Sequence, residues 1–321
     1  MARVNLFLFI CISVFSGCKQ EIEFSEKQYS TENVIIVLID GPRYSETWGD
    51  PAKSNIPRLH VEMAERGVLF TNFYNEGYTR TISGHAALLT GMYETLNNEG
   101  SELPSLPNLF QRYRKKFASD SMAAMLITSK DKLEILKNCR STNWKNEYLP
   151  YANCGENGLG TGARKDIETL NIALELLKKH HPKLVLISFK EPDYSGHQND
   201  WTNYLNGIKN SDEYAYKIWN YINSDTVYKD KTSFFIVNDH GRHLDEVEDG
   251  FKSHGDNCQG CKHILLYGFG PDFKENLLVT SNYDLVDLHE TITDIFHLNS
   301  SNLKNNSLQE IFKTNDPLIK E

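Results

Sequence analysis

The chain has 321 residues, 40% of them hydrophobic and 24% charged, with a formal net charge of −9. That length holds one large α/β domain with a deep core and is short for two. The acidic balance excludes a protein that coats nucleic acid through a basic surface, yet it permits a locally positive site, because bound cations dominate the field around them.

The first residues read as an export signal. Arg3 supplies positive charge, Leu6 to Phe15 form an apolar run too short for a permanent bilayer span, and Ser16-Gly17-Cys18 follow. Small residues directly before a cysteine resemble the lipobox of bacterial lipoproteins. That resemblance implies removal of residues 1–17, a diacylated Cys18, and an exported protein anchored on the periplasmic side of a membrane or at the cell surface. Residues 18–32 are polar and read as a tether, and 33–321 as a single domain. With Cys11 lost and Cys18 lipidated, Cys139, Cys154, Cys258 and Cys261 remain. An even number in an oxidising compartment suggests disulfides 139–154 and 258–261. Half a zinc site is the rival for Cys258-Gln-Gly-Cys261, and the lack of a second CxxC favours the disulfide.

Next comes NVIIVLID at 33–40, a continuous β-branched run ending in an acid, as in a buried parallel strand. Similar runs occupy 121–128, 184–190, 233–238 and 263–267. Helical patterns lie between them at 56–66, 163–180, 211–224 and 285–296. The alternation predicts a three-layer α/β sandwich, with a mostly parallel central sheet and helices on both faces.

The chemistry sits at strand ends. The first strand ends in Asp40-Gly41; the third runs into Glu191-Pro-Asp193-Tyr-Ser-Gly-His197; the fourth into Asp239-His240-Gly241; and Ser253-His254-Gly255 precedes the last. Ligands gather beyond the carboxyl ends of strands in open α/β sheets, so these segments can converge. Carboxylates with imidazoles suit zinc and tolerate manganese or magnesium. One such Asp alone is most often a cap; three in order after buried strands carry the signal.

The order IDG, TxxxH with a downstream LLTGMY, EPDxxGH, NDHG, then SHG with a later GFGP resembles the phosphodiesterase and nucleotide pyrophosphatase branch of the alkaline phosphatase superfamily. It spans roughly 230 residues, from Asp40 to Pro271. The resemblance implies two divalent cations, one held by Asp193, His197 and His254, the other by Asp40, Asp239 and His240, with the Thr81 oxygen as a further ligand of that latter ion. It makes Thr81, four residues before His85, the nucleophile, with Ser83 the next choice. Thr81 also opens a helix through Ala86–Leu89, where backbone N–H groups favour a phosphate. His85 reads as a packed histidine orienting a ligand; His243 and His289 match no ligand position.

Two departures stand out. Many phosphodiesterase relatives carry an asparagine three residues after the nucleophile, where this chain has Gly84. Ser129-Lys130-Asp131-Lys132 resembles the Lys-x-Arg pair that holds phosphate oxygens in a group of periplasmic alkaline phosphatases, which makes Lys130 and Lys132 candidate substrate ligands. The C/S-x-P-x-R setting of sulfatase nucleophiles is absent. The expected activity is hydrolysis of a small phosphate ester through a phospho-threonine, monoesters favoured. A phosphodiesterase or nucleotide pyrophosphatase, a catalytically silent binding protein and a phosphoryl or phosphoethanolamine transferase are the alternatives. Specificity is expected from loops 138–162 and 200–212, with Trp144, Tyr148, Trp201 and Tyr204.

Overall fold

In the computed structural model, residues 27–299 and 306–313 are described; the leader, Cys18 and the tether up to residue 26 lie outside them. The chain order is β1 (Asn33–Asp40), β2 (Val68–Tyr74), α1 (Thr81–Thr90), α2 (Leu109–Phe117), β3 (Ala124–Thr128), β4 (Tyr151–Cys154), α3 (Asp166–His180) and β5 (Leu184–Pro192). There follow α4 (Asp193–His197), α5 (Trp201–Ser224), β6 (Thr232–Asn238), α6 (Gln259–Lys262), β7 (His263–Phe269), β8 (Leu277–Val279), β9 (Tyr283–Asp284) and α7 (Leu285–Ile295).

All eight residues of β1 are buried. Because side chains alternate across a strand, Val34, Ile36 and Leu38 enter one core while Ile35, Val37 and Ile39 enter the other. The first core is closed by α1, α2 and α7, through Ile82, Leu109 and Leu288. The second is closed by α3 and α5, through Leu170 and Ala215. The sheet order is β4-β3-β5-β1-β6-β7-β2-β8, with β9 beside β2. Only β7 runs antiparallel to its neighbours, β6 and β2. This is the three-layer, mostly parallel sandwich expected. Among the described residues no helix is long and apolar enough to cross a membrane.

Several boundaries differ from expectation. Residues 121–123 form a 3-10 turn, with the Asp120 carboxylate accepting from the Met122 N–H, so β3 starts only at Ala124. The 56–66 pattern is a π-turn over Leu59–Met63 followed by a 3-10 turn over Ala64–Arg66, not a regular α-helix. Its backbone is held by Asp212, whose carboxylate accepts from the N–H groups of Arg58 at 2.7 Å and Leu59 at 2.9 Å. Helix α5 begins ten residues before the expected 211, capped by Asp200. Segment 200–212 is therefore mostly helix rather than loop. Tyr204 is fully buried and its hydroxyl accepts from the Arg43 N–H, so it is a core residue.

The expected disulfides are not formed; all four cysteines are free thiols. Cys154 ends a strand paired in register with β3, and its Sγ faces the Leu126 carbonyl inside the first core, while Cys139 lies on a separate segment. Cys258 caps the short helix α6, its Sγ accepting from the Cys261 N–H at 3.4 Å.

Candidate metal centre

Strands β5, β1 and β6 are adjacent, and their carboxyl ends deliver Asp193, Asp40 and Asp239 to one place. Around them the structure brings together two trios: Asp40 with Asp239 and His240, and Asp193 with His197 and His254. In each trio one donor atom per residue lies within 4.8 Å of the others.

The first trio is wholly buried. His240 Nδ1–H donates to the Gly241 carbonyl at 2.9 Å, which leaves the Nε2 lone pair 3.5 Å from Asp40 Oδ1 and 3.4 Å from Asp239 Oδ2. Asp40 Oδ1, Asp239 Oδ2 and His240 Nε2 make no hydrogen bond. Each such buried polar atom costs about 1–3 kcal/mol unless something satisfies it, and a cation would satisfy all three at once. Electrostatics agree. Burial and the neighbouring Asp239 charge push the Asp40 carboxyl well above its ordinary value, with Lys130 opposing. Burial drives the His240 imidazole down to about 3, the neutral form that ligates metal. Asp239 is held at about 2, against its own burial, by His240 and His85.

The second trio is more open: the His197 side chain is 44% exposed, while Asp193 is buried. Asp193 Oδ1 lies 3.3 Å from His197 Nε2 and 3.2 Å from His254 Nε2. His254 Nδ1–H donates to the Thr79 carbonyl at 2.7 Å, again freeing Nε2. The His240 and His254 rings stack at 3.7 Å, so the trios are contiguous. Although burial opposes it, Lys130 and His254 hold the Asp193 carboxyl well below the usual range.

Two cationic side chains complete the arrangement. Lys130 Nζ is 2.6 Å from Asp40 Oδ2, 2.6 Å from Asp193 Oδ2 and 3.4 Å from Thr81 Oγ1. Burial lowers its proton affinity, yet the two carboxylates outweigh that and hold the ammonium above its ordinary value. Its charge lies at the junction of the trios as a stand-in cation. Lys132 lies close enough that burial, followed by the charge of Lys130, pushes its ammonium down. Arg242 was not anticipated. Its side chain is fully buried, contacts Asp193 Oδ1, lies 3.3 Å from His197 Nδ1 and donates to the carbonyls of Phe251 and Lys252. The sequence signal was available: an arginine directly after Asp-His-Gly.

Thr81 is the first residue of α1, and the other hydroxyls nearby are engaged. Ser83 Oγ accepts from the Leu96 N–H at 3.0 Å, and Thr79 Oγ1 donates to the Asp256 carbonyl at 2.6 Å. The Ile82 N–H donates to Asn98, so that amide is not available to a phosphate as expected. Gly84 has a packing reason: a Cβ there would stand 2.5 Å from the Asp239 carbonyl oxygen. Any side chain would push α1 off the chain just past the carboxyl end of β6. His85 Nδ1–H donates to the Thr81 carbonyl at 2.8 Å and also lies 3.3 Å from Asp239 Oδ2. It ties the helix to a candidate ligand. His289 packs in the first layer, bonded to the Leu88 carbonyl. Trp144 lines a cleft of about 350 Å³ with Arg112, Lys115 and Leu298, which includes none of the site residues, and Trp201 stacks on Tyr204.

This sheet, with carboxylates and imidazoles gathered past its central strands, defines a hydrolase of the alkaline phosphatase superfamily, of the sulfatase and phosphoesterase type. The family model described as Sulfatase matches residues 32–299, and the chain belongs to that family. Among solved structures it is similar to the phosphonate monoester hydrolase of Silicibacter pomeroyi (14% identity, 89% of this chain and 78% of that one, TM-score 0.63). It is also similar to murine ectonucleotide pyrophosphatase/phosphodiesterase 5, in an inactive threonine-to-alanine form with AMP (12%, 88% and 100%, TM-score 0.63). An alkaline phosphatase superfamily protein from Vibrio parahaemolyticus matches likewise (15%, 90% and 72%, TM-score 0.63). No curated protein matches the sequence. Members of the superfamily depend on metal, and both trios offer donor sets that fit divalent cations.

Proposed function

We propose that the chain hydrolyses small phosphate esters at a dinuclear metal site, with Thr81 as nucleophile, as an exported protein anchored through Cys18. One observation carries the reading: the Thr81 hydroxyl lies 3.4 Å from the ammonium of Lys130, which itself bridges one carboxylate from each trio. The hydroxyl therefore stands beside the lysine at which the two trios meet. Asp40, Asp239 and His240 would hold one divalent ion, zinc by donor chemistry, and Asp193, His197 and His254 the other. Bound there, the pair supplies a lowered pKa for the hydroxyl and charge stabilisation for the leaving oxygen.

The chain's own part follows from placement. Thr81 Oγ bonds to phosphorus as the ester P–O bond breaks, giving phospho-Thr81 and the free alcohol; water then cleaves that bond and releases phosphate. His85 fixes the first turn of α1 through the Thr81 carbonyl, so the hydroxyl is aimed before substrate arrives. Lys130 and Lys132 supply positive charge for the extra oxygen of a dianionic monoester, which favours monoesters over diesters. Thr81 and the missing C/S-x-P-x-R setting favour phosphate over sulfate esters.

The test is turnover of an aryl phosphate, a bis-aryl phosphate and an aryl sulfate by the purified chain and by Thr81→Ala and Thr81→Ser. Thr81→Ala is expected to be inactive, Thr81→Ser to keep partial activity, and the monoester to be fastest. Unchanged turnover in Thr81→Ala would remove the assignment. The murine neighbour, inactive with a threonine-to-alanine change, supports the choice.

A further inference from the structure

Beyond the two trios, a third group of metal-ligating side chains is assembled from residues that the proposed chemistry does not use. His243, Asp256, Cys258 and Cys261 each place one donor atom within 4.8 Å of all the others. We infer that these four residues form a structural zinc site, distinct from the catalytic pair.

The donor set is chemically specific. Two thiols spaced Cys-x2-Cys, an imidazole and a carboxylate make four protein ligands, the closed tetrahedral complement of structural zinc. Ligands at about 2.0–2.3 Å from a tetrahedral ion stand roughly 3.3–3.8 Å apart, so the observed group needs only a small contraction. His243 is presented as a ligand. Its side chain is 93% buried, and Nε2 makes no hydrogen bond while lying 3.4 Å from Asp256 Oδ2. On the opposite edge, Nδ1 lies 3.0 Å from Asp249 Oδ1, and that carboxylate also takes the Ser253 hydroxyl. A carboxylate behind the imidazole fixes the ring and the tautomer, as it does for metal-bound histidines generally. The thiols are free rather than joined, both interact with the Asp256 carboxylate, and the Cys261 N–H points at Cys258 Sγ. On binding, each thiol would release its proton to solvent and ligate as thiolate.

The location gives the site a purpose. Its four ligands bracket the segment that carries His254 of the second trio and begin three residues after His240 of the first. The Gly241 N–H donates to the Cys261 carbonyl at 2.7 Å, the His243 N–H to the Ser253 carbonyl at 3.1 Å, and Thr79 Oγ1 to the Asp256 carbonyl. Gly241 allows this: a Cβ there would sit 2.0 Å from the Gly260 carbonyl oxygen. An ion clasping 243, 256, 258 and 261 therefore closes the loop that presents His254 beside His240.

The experiment is cobalt substitution of the purified full chain after chelation. Among the described residues, cysteine occurs in this group of metal-ligating side chains and in neither trio, so a thiolate-to-cobalt charge-transfer band reports this site rather than the catalytic centre. The band is expected in the wild type, lost in Cys258→Ser/Cys261→Ser, weakened in His243→Ala, and retained in Asp40→Asn/Asp193→Asn. Zinc content should fall by one equivalent in the double-serine variant. A wild-type cobalt protein lacking the band would overturn the site without needing any variant to fold. A Cys258–Cys261 disulfide in protein purified without reductant, seen as two missing thiols, would overturn it equally.

Discussion

The two candidate metal-binding trios use the same residue types in different surroundings. Asp40, Asp239 and His240 project from strand ends, are wholly buried, and leave three donor atoms unsatisfied. Asp193, His197 and His254 come from a short helix and a loop and are partly open; Arg242 pairs with Asp193, in addition to Lys130, which Asp193 shares with Asp40. The first is a rigid site that the fold tolerates at a cost; the second is already compensated by protein charges. Buried charge near like charge destabilises, whereas removing one partner of a buried ion pair leaves its counter-charge uncompensated.

The sharpest way to break this contrast is the same substitution in each trio. Asp40→Asn and Asp193→Asn should each lower kcat/KM by more than about 100-fold, beyond the ~10–100-fold that outer partners of a metal cost. Their effects on the chelated chain should be opposite in sign. Asp40→Asn removes a charge that burial and Asp239 disfavour, so the Tm of the metal-stripped protein rises. Asp193→Asn strands Arg242, and breaking a buried pair costs ~3–5 kcal/mol, so Tm falls. Shifts of the same sign in thermal melts would erase the distinction.

Replacing Arg242 with Lys should cost about 10–100-fold in activity, with metal lost from the Asp193 trio and kept by the Asp40 trio. Metal analysis of that variant decides the point. Chelation of the wild type should remove the more exposed ion first, giving biphasic release and loss of activity in the first phase; a single phase would argue for equal protection. The smallest effect is expected for Lys132→Ala, less than about tenfold in kcat/KM on a monoester, equivalent to ~1.4 kcal/mol, because Lys132 touches neither trio directly.

Much of this was legible in the sequence for a physical reason. A parallel strand buried on both faces must be continuously apolar, so 33–40 and its partners announce themselves, and polar residues at their ends are then conspicuous. The short elements were illegible. β2, mixed with Thr71 and Asn72, shows no strong period, and α2 carries a helical spacing of Leu109, Phe110, Tyr113 and Phe117 over only nine residues, too short to stand out. Gly207 masked the first half of α5. Arg242 escaped because a buried arginine is unusual and its partners lie far off in sequence. The cysteines misled because spacing alone cannot distinguish a disulfide from a pair of free thiols.

The adjacency of β5, β1 and β6 also sets a length. Neighbouring strands stand ~4.7–4.9 Å apart, close to the ~3.5–4 Å between ions in two-metal sites. The sheet would thus act as a ruler for the proposed cation pair, graduated by backbone hydrogen bonds. Surface loops can be lengthened, shortened or exchanged for new substrates while that interval stays fixed.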